Sequence, residues 1–341
     1  MLKDFASEFV RVQRGKLAEL IFFVTGRCNA RCGHCFYACK MDELGKDLTL
    51  DEIKKISSKL PKFNALLISG GEPFLRIDLP EICETFVKNN KVGRIRIPTN
   101  GILVDLTLKK TEEILEKIGK AKLTMQLSID GFKETHDMIR GVPGCFDKVM
   151  KVYGGLDELR RFYPNLILTL AITVSNKNIG ELDAFLKWIN ETKKFDDVCM
   201  PILRGVPRSK DYRELTIEEA RHALGLMIEN NKALNRTRFS VWGKVIDKAN
   251  ARYAELCYRA LESPYIEGFQ CLAGKSIAVL EHDGNVKMCE MKQAIGNVKS
   301  VDYDLQKLLR RAPKGCACTH GCFMSPSVLY NPGEIIKAIL K

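Results

Sequence analysis

The chain has 341 residues, of which 45% are hydrophobic and 28% charged, and its 54 Lys and Arg against 42 Asp and Glu leave a formal net charge of +12. That length suits one large domain with an annex, or two domains, and the composition is that of a soluble globular protein. No apolar run nears the ~20 residues of a membrane span, the start lacks the apolar core of a signal peptide, and no basic run interleaved with aromatics marks a nucleic-acid footprint. A cytoplasmic protein without a transmembrane segment or a nucleic-acid partner is expected.

In chain order, residues 1–18 read as an N-terminal extension. From 19 to 210, short apolar runs alternate with helical patterns. LIFFV (20–24), ALLIS (65–69), RIRIP (94–98), KLTMQLSI (122–129), LILTLAITV (166–174) and DVCMPIL (197–203) read as strands. The segments between them, such as DEIKKISSKL and LPEICETFVKN, carry apolar residues at helical spacing. Six βα units in succession predict an α/β fold: a parallel sheet curled into a partial (β/α)6 barrel, with its chemistry at the C-terminal ends of the strands. Residues 211–265 read as a mostly helical connection. Within 266–330, KSIAVLEHDGNVKMC alternates and breaks at Asp283-Gly284-Asn285, a hairpin signal. Residues 331–341 read as a tail in which EIIKAILK makes a short amphipathic helix.

The 13 cysteines do not fit structural disulfides in a reducing cytosol. Cys83, Cys145, Cys199 and Cys257 are scattered singly, as small buried hydrophobes are. The others cluster at two ends, which points to metal. Cys28, Cys32 and Cys35 follow the first strand, with Cys39 just beyond. Their spacing is not that of zinc sites, which favour CxxC pairs or Cys with His. Three thiolates on one loop can hold three irons of a [4Fe–4S] cluster and leave the fourth open to a small molecule. A fourth ligand from Cys39 would close that iron and make an electron carrier or sensor instead.

CxxxCxxC after the first strand of a βα barrel resembles the radical S-adenosylmethionine (SAM) superfamily. The resemblance implies that Cys28, Cys32 and Cys35 ligate a cluster whose open iron chelates SAM. One-electron cleavage of SAM then gives a 5′-deoxyadenosyl radical that abstracts hydrogen from a substrate. His34 stands where the family commonly has an aromatic, and Cys39 has no place in the pattern. Gly70-Gly71-Glu72-Pro73 resembles the GGEP motif that meets the SAM amino group. Thr99-Asn100-Gly101 and Ser128-Ile129-Asp130-Gly131 are similar to the family's TNG and LSxDG segments. His136, Arg140-Gly141 and Gly144-Cys145-Phe146 resemble a further family stretch. On this resemblance Gly70, Gly71, Glu72, Asn100, Ser128, Asp130, Arg140, Thr173 and Leu203 are expected to bind SAM.

Near the C-terminus, Cys271, twelve residues, Gly284, four residues and Cys289 resemble the cysteine hairpin of SPASM and twitch domains, which carry auxiliary iron–sulfur clusters. Cys316, Cys318 and Cys322 follow, fewer than a complete SPASM domain has. One auxiliary [4Fe–4S] cluster is therefore expected, with Cys271, Cys289 and Cys322 as ligands and Cys318 or Cys316 as the fourth. A cluster with one open iron and a zinc site are the alternatives. The function implied is hydrogen abstraction from a small molecule, sugar, lipid or peptide, with the auxiliary cluster assisting oxidation or bond formation and an electron donor such as flavodoxin or ferredoxin. A peptide maturase working with a separate recognition partner and a non-catalytic carrier are the competing readings.

Overall fold

The structure, a computed structural model, describes residues 2–38, 46–234 and 241–340. Cys39 lies outside the described residues. The strands are β1 (Glu19–Phe23), β2 (Ala65–Ser69), β3 (Arg94–Thr99), β4 (Lys122–Ser128), β5 (Leu166–Ala171), β6 (Asp197–Cys199), β7 (Ile277–Leu280), β8 (Asn285–Lys287) and β9 (Ala294–Asn297). The helices are α1 (Leu2–Gln13), α2 (Leu50–Lys59), α3 (Leu79–Asn90), α4 (Val104–Ile118), α5 (Lys133–Arg140), α6 (Cys145–Leu159), α7 (Leu182–Thr192), α8 (Ile217–Leu234), α9 (Val241–Glu262), α10 (Gly321–Leu329) and α11 (Pro332–Leu340).

β1 to β6 pair in parallel in chain order, and the sheet does not close: its order is β6-β5-β4-β3-β2-β1-β7-β8-β9. This is the expected partial barrel. Apolar residues on alternate strand positions, such as Ile95 and Ile97 or Leu123, Met125 and Leu127, are fully buried beneath the helices, as a covered parallel sheet requires. The sixth strand is shorter than DVCMPIL suggests. Pro201 has no N–H to donate, so β6 stops at Cys199 and pairing resumes only at a lone Val174–Ile202 bridge.

The hairpin at Gly284 forms as expected, with β7 and β8 antiparallel and Gly284 at φ 90°. What the sequence did not show is that β7 also pairs in parallel with β1, Glu19 opposite Ile277 through Phe22 opposite Leu280. The C-terminal region thus continues the barrel sheet along its open edge. α9 holds α11 through the buried Arg252–Glu334 pair at 2.7 Å. At the N-terminal end of the barrel strands, Glu8 of α1 faces Arg94 at 3.7 Å, and Gln13 donates to the carbonyl of Tyr330 at 2.6 Å. Among the described residues no helix is long and apolar enough to cross a membrane.

Candidate active site

The loop after β1 carries Cys28, Cys32 and Cys35, and three neighbours hold its backbone. Gly71 N–H donates to the carbonyl of Thr25 (2.9 Å) and Glu72 N–H to that of Arg27 (2.8 Å). Arg31 and Gly33 N–H donate to the carbonyls of Arg140 and Ile139, both at 3.0 Å, tying the loop to the end of α5. Ser209 N–H donates to the carbonyl of Gly33 (3.0 Å), bringing the segment after β6 over the loop. The two glycines of GGEP therefore serve the loop itself. A Cβ on Gly70 would overlap the Thr25 carbonyl, one on Gly71 would overlap that of Arg27, and Gly70 sits at φ 124°, where a side chain is strained.

Gly70, Gly71, Glu72, Asn100, Ser128, Arg140, Thr173 and Leu203 line one cavity of about 210 Å³ together with the three cysteines of the loop. Asp130 does not. It is fully buried, and its carboxylate lies 2.7 Å from Arg140 Nε and accepts from Thr173 N–H at 2.8 Å. Burial would raise Asp130, but the charge of Arg140 and the hydrogen bond from Thr173 N–H work against it, and the carboxyl stays below its usual range. Asp130 thus aims Arg140, whose Nη1 reaches to 3.7 Å from Cys32 Sγ.

Glu72 is clamped by Thr99 Oγ1 (3.0 Å), Phe74 N–H (3.2 Å) and Asn100 N–H (2.8 Å). Burial pushes its carboxyl up to about 7 against those donors. Burial likewise pushes the Cys28 thiol up to about 12 and raises Cys35. Buried thiols of this kind become thiolates only beside a cation or metal. His136, in the same stretch, points into the core, where its Nδ1 accepts from Asp130 N–H at 3.1 Å. Asp137 beside it caps α6, accepting from Gly144 N–H (2.6 Å) and Phe146 N–H (2.8 Å).

The charges of Cys316 and Cys289 act on Cys271, and those of Cys271, Cys289 and Cys316 act on Cys318. Burial pushes Cys271 up to about 11 and Cys318 to about 12. Cys322 lies beside Arg204, Tyr253 and His320 and lines the larger hollow of the barrel. Among the described residues no three cysteine sulfurs lie within 4.8 Å of one another.

Between the two thiol sets lies a group that sequence reasoning missed. Glu290 Oε2 is 2.8 Å from Arg204 Nη2 and 2.6 Å from His320 Nε2. Arg204, at the end of the barrel, also packs over the Phe36 ring at 5.2 Å. Burial would raise Glu290, but the charges of His320 and Arg204 hold it down at about 2. The clue in the sequence was the charge beside each ligand, Glu290 after Cys289 and His320 between Cys318 and Cys322.

Comparison with known proteins places this arrangement. Over 241 residues the chain is 29% identical to Fe-coproporphyrin III synthase of Methanosarcina barkeri, a match covering 70% of this chain and 57% of that protein. It is 25% identical over 233 residues to the antilisterial bacteriocin subtilosin biosynthesis protein AlbA of Bacillus subtilis, covering 63% of this chain and 49% of that one. The chain thus spans about half the length of the curated relatives it matches. In fold it is similar to native anSMEcpe with bound AdoMet and Cp18Cys peptide, with a TM-score of 0.57, 19% identity, and coverage of 86% of this chain and 82% of that one. Streptococcus suis SuiB bound to S-adenosylmethionine gives 0.56 at 13% identity, covering 88% and 68%. Residues 22–189 match the sequence profile of the Radical SAM superfamily, and the chain carries a domain of that superfamily, whose enzymes work with a [4Fe–4S] cluster and SAM.

Proposed function

We propose that the cavity beneath the Cys28, Cys32 and Cys35 loop is the SAM site and that the hollow of the barrel below it holds the substrate. The observation that carries this reading is the convergence of three thiols, the GGEP turn, Asn100, Ser128 and Thr173 on a single cavity from five different strand ends. When bound, the cluster and SAM supply a 5′-deoxyadenosyl radical for hydrogen abstraction. The chain's own residues do the positioning. Glu72 offers a clamped carboxylate to an ammonium group, and Ser128 and Arg140 offer donors to a carboxylate. Asp130 orients Arg140 from below, and the loop over Gly33 excludes water.

Cys271, Cys289, Cys316 and Cys318 form the ligand set for one auxiliary [4Fe–4S] cluster, because each of these thiols is in electrostatic reach of others in the set. Cys322 stands outside it and faces the substrate. An interior chamber favours a small organic substrate over a long peptide. A flavodoxin- or ferredoxin-type protein is the electron donor in this reading, and the cytoplasm its location. The test is anaerobic reconstitution, reduction with SAM, and chromatographic assay for 5′-deoxyadenosine, beside a variant with Cys28, Cys32 and Cys35 all changed to Ala. Product from the wild type alone supports the reading; no product from a fully iron-loaded wild type overturns it.

A further inference from the structure

Below the SAM-site cavity the barrel is hollow. The two spaces meet at Pro98, Pro201 and Arg204, which line both, and the lower chamber has a volume of about 900 Å³. Closed βα barrels fill their interior with layers of branched apolar side chains. Here the inward positions include Arg96, Thr124 and Gln126.

Arg96 stands at the middle of β3, between Ile95 and Ile97, which turn outward into the helix layer. The other charged groups on the wall are mostly engaged. Arg94 faces Glu8 at 3.7 Å, Arg204 faces Glu290 at 2.8 Å, and Asp196 faces Arg160 at 3.0 Å. Arg96 forms no ion pair or hydrogen bond among the described residues. The carboxyls its charge reaches are Glu19 and Asp197, and burial raises both. A guanidinium presents a rigid planar fork of N–H donors that matches an oxyanion. Leaving such a fork unpaired inside a cavity is costly unless a ligand completes it. Arg204 adds a second donor at the top of the chamber, since its buried Nε has no acceptor.

We propose that the chamber takes an organic substrate carrying an oxyanion, a carboxylate or a phosphate, gripped by Arg96, with its apolar body against Ile21, Leu67 and Met200 and its reacting end toward Arg204. This rests on the chamber being the substrate site of the reading above. The oxyanion sets depth and orientation: it fixes one end of the molecule in mid-barrel so that the other end meets the radical source. Arg96 is a specificity-determining residue in this arrangement.

Calorimetric titration of the anaerobically reconstituted protein with naphthoate, naphthyl phosphate and naphthamide tests it. At least one oxyanion probe should bind once per chain and about tenfold or more tighter than the neutral amide, as a charge-assisted bidentate contact implies. The tighter of the two oxyanions identifies the group. Arg96→Met should abolish the preference and Arg96→Lys should keep much of it. Equal affinity for the amide in the wild type overturns the proposal, whatever the variants do, and so does an unchanged preference in a folded, iron-loaded R96M. Deoxyadenosine formation in the same preparation reads the radical chemistry separately. Its loss with the preference intact sinks the SAM-site reading and leaves the oxyanion pocket standing; the reverse sinks the pocket alone.

Discussion

Glu72 shows how a motif residue does two jobs at once. Its carboxylate lines the cavity beneath the cysteine loop while satisfying two backbone N–H groups and the Thr99 hydroxyl. In Glu72→Gln the amide nitrogen must face a backbone N–H, leaving donors unpaired at a cost of about 1–3 kcal/mol. That variant should unfold a few degrees lower and form 5′-deoxyadenosine at least about tenfold more slowly; an unchanged rate would remove Glu72 from the site. Gly71→Ala should act differently, because its Cβ collides with the Arg27 carbonyl of the loop. Its expected signature is the loss of about four irons per chain, with the C-terminal set still loaded. His136 bears on pH. Burial first, then the Arg140 charge, lowers it from 6.5 to about 4, so the fold keeps it neutral while the unfolded chain protonates it. Stability from this group is therefore present above pH 6.5 and is lost as pH falls from 6.5 toward 4, by up to about 3 kcal/mol. Asn at this position keeps an acceptor for Asp130 N–H without a proton to bind. The stability gap between wild type and His136→Asn should narrow over that window in denaturant titrations, and parallel curves would contradict the assignment.

At the scale of elements, the strands and most helices were legible because their patterns are local. Apolar runs at β1 to β5 and helical spacing in α2, α3 and α4 follow from which faces are covered. Two kinds of element escaped. α5 is short and mostly polar, with too few apolar positions to show a helical period, and only its role as a floor for the cluster loop explains it. β6 was overlong in the sequence reading because apolar composition says nothing of where Pro201 interrupts pairing. The terminal helix α11 was read as a short amphipathic segment, but what holds it is Arg252 against Glu334. Glu334→Ala leaves Arg252 buried with only Glu255 at 2.7 Å. That should cost about 2–3 kcal/mol, measured by chemical denaturation, with iron content unchanged; a loss of iron would mean that α11 supports the C-terminal cysteines directly.

Over the whole molecule, two thiol sets far apart in sequence are linked through Arg204, which packs over Phe36 beside Cys35 and pairs with Glu290, itself bonded to His320. The division of the C-terminal cysteines makes a counting prediction. Cys322→Ala should retain about eight irons per chain, whereas Cys316→Ala or Cys318→Ala should lose up to about four; the opposite pattern in iron analysis would return Cys322 to the ligand set. The sequence by itself determined the class of chemistry, because CxxxCxxC and GGEP are local patterns whose spacing is dictated by a single loop and a single strand end. It also determined the βα order, since each unit writes its own periodicity. Only the tertiary structure decided that β7 seals the edge beside β1, that Asp130 lies under Arg140 rather than in the cavity, that Glu290 bridges Arg204 and His320, and that Arg96 faces into a chamber. Each of these depends on which residues meet across the fold, and a contact between distant positions leaves no periodic trace in one chain.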